Sequence, residues 1–204
     1  MTIALDIDNL LLLRGGRAVL KGLSLSLTGG RVLALEGPNG SGKTSLLRAI
    51  AGLLPPFAGR ITITEDGRAV SDPEDRSDFI GWLGHQDGIK AQLTVREQVA
   101  FWAAMFGSKA EIMPALKRFG IAHLAEARGA ILSAGQKRRL ALARLSLVGR
   151  PLWLLDEPLA ALDTAGKALV AEALADHAAK GGMVIAATHE PLGLECERLV
   201  LGAA

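Results

Sequence analysis

The chain has a single cysteine, Cys196, so no disulfide can form within it; that suits a reducing compartment. Tyrosine is absent, and the first aromatic residue is Phe57. Stacking on an aromatic ring is therefore excluded for the first 56 residues. No run of about 18 or more uncharged apolar residues occurs, which excludes a membrane-spanning helix. Any membrane association must come through a partner. Neither sign of charge dominates, since 23 basic and 21 acidic residues leave a net charge of +2. That balance offers no electrostatic case for direct nucleic-acid binding or for an anionic membrane surface. The start, Met1-Thr2-Ile3-Ala4-Leu5-Asp6, carries an early acid and no basic stretch, so it does not read as a signal peptide. Internal repeats, low-complexity tracts and linkers are missing too.

What the chain does have is Gly37-Pro38-Asn39-Gly40-Ser41-Gly42-Lys43-Thr44, which fits G-x-x-x-x-G-K-[ST] at every fixed position. Val32-Leu33-Ala34-Leu35 reads as a strand before it, and Ser45-Leu46-Leu47-Arg48-Ala49-Ile50 as a helix after it. An ordinary glycine-rich turn would lack this strand, loop and helix setting. The glycines let successive N–H groups face one concavity, and the helix adds its N-terminal partial positive charge. Phosphate oxygens fill such a cradle. Lys43 adds a point charge for the outer phosphates, Thr44 offers a hydroxyl to Mg²⁺, and Ser45 continues the cradle into the helix.

Half of the 204 residues are hydrophobic, enough for a real core in one or two domains. Strand-like and helix-like segments alternate, which predicts α/β architecture with a largely parallel central sheet. Segments 3–8, 23–27 and 60–65 alternate apolar and polar residues, and Asp66-Gly67 makes a turn. They predict short antiparallel strands around the phosphate loop. From about 94 to 149 the pattern is helical: Val95, Val99, Trp102 and Phe106 recur at helical spacing, and a basic helix is expected at 136–148. Strands at 152–156 and 183–187 flank a helix at 164–179. The simplest organisation is one domain. Its nucleotide-binding core spans about 1–86 and 150–204, with a helical insert at about 87–149.

Pro151-Leu152-Trp153-Leu154-Leu155-Asp156-Glu157-Pro158 is an apolar strand ending in two carboxylates. Acids at the carboxyl end of a parallel strand stand at the mouth of the sheet, where ligands bind. Asp156 is placed to hold Mg²⁺ directly or through water, and Glu157 to polarise the attacking water as a general base. Leu132-Ser133-Ala134-Gly135-Gln136 precedes the basic run Lys137-Arg138-Arg139. Ser133 can cap that helix and aim its N–H groups at an anion; a capped helix with a solvated charged face accounts for the same residues.

Together these motifs resemble the ATP-binding-cassette family, whose signature is L-S-G-G-Q, and the resemblance covers nearly the whole chain. The order is the family's: phosphate loop, Gln86, signature, Asp156-Glu157, Leu162-Asp163, His189. It implies a P-loop NTPase (RecA-like) core with an antiparallel β subdomain and a helical insert, and ATP with Mg²⁺ as ligands. It gives Gln86 contacts to Mg²⁺ and to the attacking water, and His189 a contact to the γ-phosphate. Ala160-Ala161-Leu162-Asp163 becomes the loop that touches an opposing subunit. Two copies are implied to sandwich two ATP molecules, with Ser133, Gly135 and Gln136 of one copy covering the nucleotide held by the other. Catalysis is then assigned to Glu157, His189, Gln86 and Lys43.

Two departures stand out. The family's adenine-stacking aromatic has no counterpart here, and its place falls near Arg14. The Arg14 guanidinium either stacks on the base or is a solvated loop charge. Ala134 replaces the first glycine of the signature pair, which predicts an ordinary backbone there.

Gly84-His85-Gln86-Asp87-Gly88-Ile89-Lys90-Ala91-Gln92-Leu93-Thr94 and Thr188-His189-Glu190-Pro191-Leu192 resemble the cytochrome c maturation branch, the ATP-binding subunits of haem exporters. That implies integral membrane partner subunits, on the cytoplasmic face of a bacterial inner membrane. ATP would drive haem export or release of a haem-loaded periplasmic chaperone. The ATPase of another small exporter and a soluble cassette protein are the alternatives. None of His85, His123, His177 and His189 lies in a Cys-x-x-Cys-His motif, so haem is expected on partners rather than on this chain. Phe101, Trp102, Met105 and Phe106 either line a docking groove beside Gln86 or pack the helical insert.

Overall fold

Why the chain has two kinds of strand is visible in where their side chains go. The computed structural model describes residues 2–202. In chain order the elements are β1 (Ile3–Arg14), β2 (Arg17–Thr28), β3 (Val32–Glu36), α1 (Lys43–Ile50), β4 (Ala58–Glu65), β5 (Arg68–Val70) and the one-turn α2 (Pro73–Arg76). Then follow β6 (Ile80–Leu83), α3 (Val95–Met105), α4 (Ile112–Arg118) and α5 (Ala134–Val148). The chain closes with β7 (Leu152–Asp156), α6 (Thr164–Ala179), β8 (Met183–Ala187) and β9 (Glu197–Val200).

One sheet is antiparallel, in the order β2-β1-β4-β5; the other is parallel, in the order β6-β7-β8-β3-β9. The parallel strands are apolar runs because both of their faces are covered. Leu33, Leu35, Leu152, Leu154 and Ile185 face α1 and the antiparallel sheet, where Leu46, Leu47, Ile50, Leu5 and Ile63 complete one core. Their neighbours Val32, Ala34, Trp153, Leu155 and Val184 point the other way, into a second core built by α3, α4, α5 and α6.

Three strand expectations need revision. The first strand does not stop at residue 8 but runs to Arg14, and with β2 it forms a ribbon of two 12-residue strands rather than short ones. Its register slips after Asp8, where Asn9 has φ 45° and faces Gly59 at φ 87°, so a bulge carries the strand past the break in alternation. The short strands β5, β6 and β9 lie outside the predicted set. All are edge strands of three or four residues, too brief to show a period. Gly81 in β6 leaves room for Leu145 and Trp153, whose side chains occupy the space a Cβ would need.

The basic helix α5 has a capping box, with Ser133 accepting from Gln136 N–H and Gln136 Oε1 accepting from Ser133 N–H. Ala134 is its first residue and has an ordinary helical backbone. Two of its arginines are not solvated: Arg138 is 3% exposed and Arg144 is 8% exposed. No helix among the described residues is long and apolar enough to cross a membrane.

On the far side of the parallel sheet His177 of α6 stacks on Trp153, with ring centroids 4.0 Å apart, and meets Pro151 O at 3.0 Å. Burial holds its imidazole below the ordinary pKa, aided by Lys180 and Arg118. The folded chain therefore takes up this proton less readily than the unfolded chain. Stability from a neutral His177 is complete above the unfolded pKa of about 6.5 and falls as the pH drops below it. The melting temperature is expected to fall between about pH 7.5 and about pH 5.5, and less steeply in His177→Gln. An equal fall in the variant, read by thermal denaturation, would contradict this.

Candidate active site

The phosphate loop is shaped by what its glycines exclude. Gly37, Gly40 and Gly42 have φ of 136°, 85° and 97°. A Cβ at Gly37 would collide with the Leu201 carbonyl and stand 2.9 Å from Ser41 Oγ, and one at Gly42 would stand 3.0 Å from Leu20 Cγ. Ser41 Oγ is buried, with no hydrogen-bond partner among the described residues. Such an orphaned hydroxyl calls for a polar ligand. Lys43 Nζ donates to the carbonyls of Gly37, at 2.7 Å, and Pro38, at 3.1 Å.

Thr44 Oγ1 donates to Asp156, 3.0 Å from Oδ2 and 3.2 Å from Oδ1. Asp156 ends β7 and is buried. Glu157 follows with φ 52°, a strained value for a residue bearing a Cβ. Its N–H donates to Ala187 O at 2.9 Å, which ties the turn to the end of β8. Glu157 Oε1 lies 3.3 Å from His189 Nε2.

One cavity of about 770 Å³ gathers Arg14, Asn39, Gly40, Ser41, Gly42, Lys43, Thr44, Ser45, Gln86, Asp156, Glu157 and His189. The volume suits a drug-sized or nucleotide-sized ligand. Gly37 and Pro38 bound the loop behind it through their carbonyls on Lys43. Five wall residues were not foreseen: Val19, Arg48, Trp82, Gly84 and His85. Arg48, Gly84 and His85 lie within motifs already read, whereas Val19 and Trp82 come from strand ends that carry no local signal. Arg14 stands at the cavity wall with Val19, so its charge borders the ligand space.

Ser133, Gly135 and Gln136 are not in this cavity. They line a separate cleft with Arg139, Ala161, Leu162 and Asp163. A Cβ at Gly135 would stand 2.7 Å from Ala161 O, so the second signature position needs glycine while Ala134 fits. A third cavity, of about 270 Å³, opens beside the Gln86 loop and is lined by Trp82, Trp102, Phe106 and Arg144. Phe101 and Met105 are exposed on the surface nearby.

The donor set also bears on a metal. No group of three or more His, Cys, Asp or Glu among the described residues could hold one. One hydroxyl and one buried carboxylate beside a phosphate cradle fit Mg²⁺, a hard ion that takes few protein ligands and completes its shell with phosphate and water.

A family model described as ABC transporter matches residues 20–160. The chain belongs to the ABC transporter family. Its fold is the family's ATPase fold, it is an ATPase, and it binds ATP. It is 48% identical over 198 residues to the cytochrome c biogenesis ATP-binding export protein CcmA of Ruegeria pomeroyi, covering 97% of this chain and 91% of that protein. It is 50% identical over 192 residues to the protein of the same name from Rhodopseudomonas palustris, covering 94% of each.

Among solved structures, a Pyrococcus furiosus chain assigned as an ABC transporter (ATP-binding protein) superposes with a TM-score of 0.85 at 27% identity over 97% of both chains. A bacterial Atm1-family ABC exporter with ATP bound superposes at 0.84 and 26% identity, over all of this chain and 38% of the exporter.

Proposed function

We propose that this ABC ATPase is the ATP-hydrolysing subunit of an exporter complex for cytochrome c biogenesis. In this reading hydrolysis is coupled to haem export or to release of a haem-loaded periplasmic chaperone. The observation that carries it is the identity of 48% and 50%, over 97% and 94% of the chain, to two proteins bearing that name. The chain lies peripherally on the cytoplasmic face of the bacterial inner membrane, its partners are integral membrane subunits, and haem is held by them rather than by this chain.

The residues divide the work. The loop amides and Lys43 Nζ hold the outer phosphates and lower the cost of charge developing on the γ-phosphate. Thr44, Asp156 and Gln86 are the residues that would hold Mg²⁺, whose chemistry when bound is to neutralise phosphate charge. Glu157 accepts a proton from the attacking water, and Gln86 aligns that water. His189, set 3.3 Å from Glu157, contacts the transferred group. Arg14 borders the base. Because Ser133, Gly135 and Gln136 lie in a different cleft of the same chain, they serve a second copy: two chains closing on two ATP molecules complete both sites.

Deleting the gene in its host and staining membrane proteins for covalently attached haem tests the assignment. Loss of c-type cytochromes is expected, restored by the intact gene and not by Glu157→Gln. Normal c-type cytochromes in the deletion strain would end the cytochrome assignment and leave the ATPase standing.

A further inference from the structure

The guanidinium of Arg138 has all five of its N–H bonds used, and every partner lies on one of two loops of the active site. Nη1 donates to Gly84 O at 2.9 Å and to Asp87 Oδ1 at 2.8 Å. Nη2 donates to Asp156 O and, at 2.6 Å, to Glu157 O, and Nε donates to Pro158 O at 3.4 Å. Gly84 and Asp87 bracket Gln86, and the three carbonyls belong to the turn that carries Asp156 and Glu157. Three consecutive carbonyls converging on one point repel one another, and the turn places Glu157 at φ 52°. A buried cation answers both costs, because a fork of five donors is the only side chain that can satisfy two loops at once. Its charge is matched by Asp87.

Arg144, further along α5, holds the same loop. It donates to Asp87 O and, at 3.1 Å, to Gly88 O, and lies over the Trp102 ring. Burial pushes its guanidinium pKa down to about 10, so it stays charged at neutral pH. Arg144 hydrogen-bonds to the Gln86 loop and not to the Glu157 turn; among the described residues Arg138 is the side chain that hydrogen-bonds to both.

We propose that Arg138 is a positioning residue for hydrolysis, fixing Gln86 and Glu157 relative to each other from within α5. It rests on the reading of those two residues as the groups that align and deprotonate water. Ser133 caps the same helix, so the segment that covers a second copy's nucleotide and the residue that sets this copy's water geometry move as one rod.

The test uses the full chain and separates turnover from binding. Arg138→Met is expected to lower kcat at least about tenfold, with affinity for a fluorescent ATP analogue unchanged within about twofold. Arg138→Lys keeps the charge but not the fork and is expected to recover little of the rate, while added guanidinium partly rescues Arg138→Gly. Asp87→Asn, which leaves Arg138 in place and weakens its hold on one loop, is expected to lower kcat about threefold at constant affinity, and it carries the test where an Arg138 variant does not fold. Wild-type kcat in folded variants overturns the proposal, as does parallel loss of rate and affinity without guanidinium rescue. Glu157→Gln, assayed alongside, tests the underlying reading separately: a fast Glu157→Gln enzyme rejects the site assignment, and a slow one beside fast Arg138 variants rejects Arg138 alone.

Discussion

Glu157→Gln will lower ATP turnover by about 10²–10⁴-fold, the range that removing a general base costs. Nucleotide affinity will hold, because the phosphates are gripped by Lys43 and the loop amides, none of which touches the Glu157 side chain. The amide is nearly isosteric and can still meet His189, now 3.3 Å from Glu157 Oε1, so folding is not at stake. In the proposed two-copy arrangement, ATP bound without being consumed keeps two chains closed on each other. The variant should therefore run as a dimer in ATP and as a monomer without it. Phosphate release and light scattering on the same sample check both halves. Rapid turnover by the variant would remove Glu157 from the role of base.

Ser133→Glu will lower hydrolysis by at least about 10²-fold without weakening the first encounter with ATP. The cleft that holds Ser133 is separate from the phosphate cavity of the same chain. A carboxylate there lies far from the chain's own nucleotide and against that of a second copy. Two like charges at 4 Å and an effective dielectric of about 20 repel by about 4 kcal/mol, roughly a thousandfold in association. A closed dimer meets that penalty twice. Loss of the serine cap adds about 1 kcal/mol on α5. Calorimetry with ATP should find binding to the single chain intact within about twofold, while phosphate release falls by at least about 10²-fold. Wild-type hydrolysis by Ser133→Glu would refute the shared-site arrangement.

The parts of this fold that could be read in advance are those whose cause is local. β7, α6 and β8 have the predicted limits because an apolar run bounded by Pro151 and Asp156, and another opening after Gly181-Gly182, mark them. The phosphate cradle was legible because its amides belong to consecutive residues. Glu157 could be named from the apolar strand before it, and Gln86 and His189 from the family resemblance; each follows a strand of one parallel sheet, and those strands end on the same side. What escaped is tertiary. Nothing local says that β1 crosses a bulge at Asn9, or that Trp82 reaches the cavity. Arg138 and Arg139 are neighbours of one type, yet the first is buried under five acceptors while the second pairs with Asp163 at the surface. Only the position of α5 against the sheet separates them.

The close fit at Gly37 reaches beyond the loop. Its backbone leaves just enough room for the carbonyl of Leu201, and Leu201 N–H in turn donates to Glu36 O at 2.8 Å. The residue that opens the ATP cradle is thus buttressed by the segment just past β9. The loop and the carboxyl end of the parallel sheet are mechanical neighbours: displacing Leu201 would displace the backbone of Gly37 from behind, without touching the cavity.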